Sequence, residues 1–186
     1  MNIRFELSKD SIKAAVNTLK AYQKRVEKYE RDLRLAVAHR LAEYAQQLAD
    51  SAEYGSVIDN EGNVHSLPFT FDVSVADDGR LVVAHGDEVA FIEFGAGVYY
   101  NGAVGTSPHP KAGSLTIGSY GKGKGAQETW AYMDENGEFV YTHGTIAQMP
   151  MYKALLSIAQ QVPRIAKEVG DLNGSITIYL RLDCLE

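Results

Sequence analysis

One cysteine, Cys184, one tryptophan and five prolines are spread over 186 residues. A single cysteine excludes an intramolecular disulfide and any cysteine-based zinc site. No run of about 18 apolar residues occurs, and the opening MNIRFELSKD lacks an apolar core of signal-peptide length. These absences read as a protein that folds in a reducing cytoplasm and does not span a membrane. The spacings that carry metal and nucleophile chemistry are missing as well. His39, His65, His85, His109 and His143 are scattered without an H-x-x-x-H or H-E-x-x-H pair, and no G-x-S-x-G elbow occurs. The histidines outside the helical region fall at turns or strand ends, where surface histidine is the ordinary expectation. Glu88 and Glu93 could pair as acid and base, but on a strand a separation of five places them on opposite faces. Catalytic, metal and cofactor sites are therefore not expected.

What remains is the composition of an ordinary globular chain, 45% hydrophobic and 23% charged, long enough for a sizeable core in a single domain. The net charge of -6 conceals an asymmetry. Residues 1–45 carry ten Lys and Arg against six Asp and Glu, a balance of +4, which leaves -10 for the rest. A basic arm on an acidic body suits packing between identical subunits.

Between residues 8 and 52 apolar side chains recur every three or four positions, from Ile12 through Leu19, Val26, Leu33 and Leu41 to Leu48, with no Gly or Pro. The spacing predicts a helix, with Ser8, Asp10 or Ser11 as N-cap. An unbroken helix of this length would be roughly 65 Å long, against a diameter nearer 40 Å for a globule of this mass. Either it breaks at its charged middle, KRVEKYERDLR, or it projects onto a neighbour.

Residues 55–143 change to a β-rich pattern. Phe69, Phe71, Val73 and Val75 alternate with polar residues before the turn Asp77-Asp78-Gly79, and RLVVA at 80–84 completes a hairpin. Strands are also predicted at 88–94, 114–117, 128–133 and 138–142, the last two joined by the turn DENG. A second helix starts at Pro150 and stops at Gly170, with Pro163 expected to kink or divide it. A final strand is read at 175–182. The fold class is α+β in a single domain, with a long N-terminal helix and a second helix, within a 144–186 region that also holds the final strand, packed on a mostly antiparallel sheet.

GSYGKGKG, at 118–125, has the G-x-x-x-x-G-K spacing of a phosphate-binding loop, but Gly125 stands where a Ser or Thr must hold magnesium. The residues that follow, AQETWAYM, favour a strand, whereas such a loop leads into a helix. Nucleotide binding is not expected. Residues 98–126, with Lys111, Lys122 and Lys124, read instead as a mobile basic loop.

VAFIEFGAG, at 89–97, resembles the Y-x-x-F-V-E-F-G-T signature of siphophage tail-completion or head–tail joining proteins, a family named after the tenth gene product of a lambdoid phage. Met149-Pro150-Met151-Tyr152-Lys153-Ala154 is similar to its P-F-L-x-x-A helix start, with Met151 in place of phenylalanine. Where that family often carries D-T-G-x-L, residues 52–57 read AEYGSV. The resemblance implies a structural protein of the phage neck, made in the bacterial cytoplasm. It would act as a ring of subunits that contact neighbouring neck and tail proteins and, in passing, DNA in the lumen. In such a ring Arg25, Lys28, Arg31 and Arg34 would face acidic residues of the next copy. Glu93, Phe94 and Gly95 form a second candidate contact, where the carboxylate can cap backbone amides or pair with a neighbour's arginine. Two other readings fit the residues: a phage-encoded enzyme or toxin, and a generic binding module with a basic glycine-rich loop.

Overall fold

The computed structural model describes residues 2–6, 8–52, 56–58, 61–66, 69–95, 99–100, 103–104, 107, 109–111, 130–133, 136–142, 145–170 and 177–181. The strand expected at 114–117, Lys122, Lys124, the whole of 118–125 and Cys184 lie outside these residues.

The first helix, α1 (Lys9–Asp50), is 42 residues long and unbroken. Ser8 is its N-cap, its hydroxyl accepting from the Ser11 N–H at 3.2 Å. Of the two alternatives, the break in the charged middle does not occur; side chains four apart along the helix pair with one another there. Lys28 bonds Asp32, Arg34 bonds Glu30 at 3.0 Å, and Gln23 bonds Glu27 at 2.8 Å.

The C-terminal half of α1 buries Ala38, Ala42, Ala45 and Ala49, small side chains that let the second long helix, α3 (Pro150–Val169), approach closely. The two helices run antiparallel: Ala49 and Met151 share one core cluster, while the Tyr29 hydroxyl donates to the Ala166 carbonyl at 3.0 Å. Pro163 does not divide α3, which runs on from Pro150 to Val169 with the proline on its exposed face.

The class is α+β, but the strands are divided among four sheets. One is four-stranded and antiparallel, in the order β3 (Val64–Ser66), β2 (Ser56–Ile58), β9 (Phe139–Thr142), β8 (Trp130–Met133). The hairpin of β4 (Asp72–Val75) and β5 (Val82–His85) pairs Val75 with Val82 across the Asp-Asp-Gly turn. β6 (Tyr99–Tyr100) and β7 (Ala103–Val104) form a short ribbon. β1 (Asn2–Glu6) runs parallel to β10 (Thr177–Arg181), so one pair departs from the expected antiparallel sheet.

The hairpin turn docks on α1. Arg34 Nε donates to the Asp78 carbonyl at 2.8 Å. Gly79, at φ +67, lies so close to the helix that an added Cβ would come within 3.1 Å of the Leu35 backbone. Ala49, Phe71 and Ile92 form the core cluster, flanked by Phe69, Val73, Ala84, Val89 and Met151. The core therefore sits where the end of α1, the hairpin, the segment around Ile92 and the start of α3 converge.

Candidate functional site

The segment 88–94, expected as a strand, is the short helix α2 (Val89–Phe94). Its burial repeats at three to four residues, with Val89, Ile92 and Glu93 turned inward and Ala90 and Phe91 outward. Period two would have exposed Ile92 or Glu93, and both are needed inside. Ile92 is fully buried in the core, and its carbonyl accepts the Gln148 N–H at 2.8 Å.

Glu93 is 6% exposed, and its carboxylate meets the N-terminus of α3. Oε2 accepts the Met151 N–H and Oε1 the Tyr152 N–H, both at 2.9 Å. A side chain at the N-cap normally fills this role. Here the N-cap is Met149, held at φ 54 and ψ 46, whose apolar side chain cannot accept a hydrogen bond. Pro150 at the first helical position has no N–H, so Ile92 and Glu93 together take up the donors that open α3. The negative charge is also placed at the positive end of the helix.

A third donor comes from His109, 7% exposed, whose Nε2 lies 3.2 Å from Glu93 Oε1. The Lys111 N–H donates to His109 Nδ1 at 3.0 Å, which fixes the tautomer: the ring proton is on Nε2 and points at the carboxylate. The ring packs between Phe94 and Tyr152, with centroids 4.5 and 5.0 Å away. Ser107 closes the arrangement, donating to the Phe94 carbonyl at 2.5 Å and accepting the His109 N–H at 3.2 Å. Gly95 turns the chain out of α2 with φ 81, which favours glycine.

The surface histidine expected at 109 is thus buried. The signal for it lay in Ser107-Pro108-His109-Pro110, where two prolines stiffen a segment that delivers one imidazole to a fixed place.

An open cleft of about 770 Å³ adjoins this arrangement between α1 and α3, lined by apolar residues including Leu33, Val37, Leu41, Leu155 and Val162. Glu93 and His109 border it with every acceptor position toward α3 already engaged. Both imidazole nitrogens and three acceptor positions of the carboxylate are engaged, so the pair holds three segments together. Among the described residues no group of three His, Cys, Asp or Glu is disposed to hold a metal, and no helix is long and apolar enough to cross a membrane.

Of the residues singled out for contact with a neighbour, Glu93 and Gly95 are inside the subunit, and Phe94 is half-buried against His109. The Glu93 carboxylate caps amides and does not reach for a neighbour's arginine. Lys28 and Arg34 are ion-paired within α1, Arg31 lies 3.9 Å from Asp32, and Arg25 is exposed. Lys111 contributes its backbone N–H to the His109 tautomer. Comparison with family models, with curated proteins and with solved structures gives no match.

Proposed function

We propose that this chain is a structural protein of a tailed bacteriophage or prophage virion, one copy in a ring at the head–tail junction, where it acts in tail completion or head–tail joining. The observation that carries the reading is the meeting of two segments far apart in the sequence. VAFIEFG and MPMYKA are the stretches that resemble the neck-protein family, and in the fold Glu93 of the first caps the helix that opens with the second. Such a pair of motifs has a joint physical reason to occur together, because either one alone would leave buried polar groups unpaired. On this reading the partners are further copies of the chain and the adjoining neck and tail proteins, with passing contact to DNA in the lumen. The protein works without catalysis or cofactor, inside the virion.

Deletion of the gene from the phage or prophage that carries it tests this. Lysates should contain DNA-filled heads and separate, unjoined tails by electron microscopy, and the wild-type chain supplied in trans should restore infectious particles. Joined, infectious particles from the deletion strain would overturn the reading.

A further inference from the structure

We infer that the N-terminal half of α1 is a docking arm whose occupant is the opposite, acidic end of a second copy of this chain. α3 ends near Tyr29, as the bond from its hydroxyl to Ala166 shows. Before that point Ala15 is the one buried residue of α1, and Ile12, Val16 and Leu19 are 42%, 42% and 38% exposed. At 3.6 residues per turn these three fall within an arc of about 60°. Lys9, Lys13, Lys20 and Lys24 fall in the adjoining arc, all exposed, and they make no ion pair among the described residues. An apolar ridge bordered by a row of lysines is a surface for an acidic partner with an apolar centre.

The far end of the same molecule has that character. Gln46 bonds Asp50 at 2.8 Å, the Phe71 carbonyl at 2.7 Å and the Val73 N–H at 3.0 Å, which sets Asp72 beside Asp50. Asp72 faces His85 across the hairpin, and Glu88 accepts from the Thr70 N–H at 3.5 Å, bringing Asp87 and Glu88 to the same end. Asp50, Asp72 and Asp87 are exposed, and Phe91, on α2 four residues beyond Asp87, is 41% exposed. From residue 41 to residue 110 the chain carries one basic residue, Arg80, against eleven acidic ones.

A continuous helix of 42 residues holds the two ends roughly 60 Å apart, so they cannot meet within one subunit. The contact is therefore between copies and head-to-tail, the heterologous kind that closes a ring or extends a filament. This deepens the ring reading and rests on it only for closure; the contact itself is tested without virions.

Two charge-reversed variants of the full chain provide the test: K13E/K20E/K24E in the arm and D50K/D72K/D87K at the acidic end, each checked for native circular dichroism. In sedimentation velocity at low salt the wild type should associate with rising concentration, and each variant alone should associate about tenfold more weakly or not at all. An equimolar mixture of the two should recover association, since each reversed surface then finds its complement. A wild type that stays monomeric, variants that associate as it does, or a mixture that fails to recover would each overturn the proposal. Binding of duplex DNA lost in the arm variant, with no self-association of the wild type, would reassign the lysine row to phosphate and likewise overturn it.

Discussion

Replacing Glu93 by alanine should lower the unfolding free energy by about 3 kcal/mol, since each buried donor left unpaired costs roughly 1–3 kcal/mol and water from the adjoining cleft recovers part of that. Three donors lose their acceptor at once: the Met151 and Tyr152 amides and the His109 Nε2 proton. No neighbouring side chain on the N-cap can substitute, because that residue is Met149. For a chain of this size the loss corresponds to a fall in melting temperature of about 6–12 °C. Glu93→Gln should fall between wild type and alanine, because one oxygen remains while the amide group turns donors toward an N–H. Denaturant unfolding of the three proteins measures this, and an alanine variant with a wild-type midpoint would show that Glu93 does not hold the start of α3.

A comparable loss, about 3–5 kcal/mol, is expected for Gly86→Ala, through backbone strain and direct collision. Gly86 has φ +137, and a Cβ there would sit 1.8 Å from the Thr70 carbonyl oxygen and 2.7 Å from its carbon. Both are backbone atoms, so no side-chain rotation relieves the overlap. The strand leading into the hairpin must move, and with it Phe71, which belongs to the core cluster. Gly137→Ala is the control: φ is +83, but nothing lies within 4 Å. It should cost only the left-handed conformation, about 1–2 kcal/mol. Equal midpoints for the two alanine variants would show that the approach of Gly86 to Thr70 has no energetic weight.

Much of the fold was legible where the signal was local. The three-and-four spacing placed α1, with Ser8 one of three N-cap candidates, the Asp-Asp-Gly turn placed the β4–β5 hairpin, and Pro150 and Gly170 bounded α3. The failures were non-local. VAFIEF carries β-favouring residues, and it is helical because Ile92 must enter the core while Glu93 reaches α3. NIRFE gave no strand signal because its partner, β10, lies at the other end of the chain in a parallel pairing with no turn to announce it. The candidate site divides in the same way. Both of its motifs could be seen, but not their contact, since 58 residues separate Glu93 from Met151. For His109 the stiff proline-flanked segment was visible, but not its role, which depends on contacts with Glu93 and the Lys111 N–H.

The charge asymmetry was also legible, and the structure separates the cations that are ion-paired along α1 from those that are not. Lys28, Arg31 and Arg34 are engaged along the helix, whereas Arg25, Lys9, Lys13, Lys20 and Lys24 make no ion pair among the described residues. The charge of those lysines is therefore available to an acidic surface.

Cryo-electron microscopy of purified particles from a tailed phage or prophage found to carry the gene for this chain tests the proposal that it is a neck protein. A ring of copies is expected between head and tail tube, each recognisable by the unbroken rod of α1 with α3 antiparallel along its C-terminal half. Infectious particles whose neck is fully accounted for by other proteins, with no copy of this chain present, would contradict that assignment.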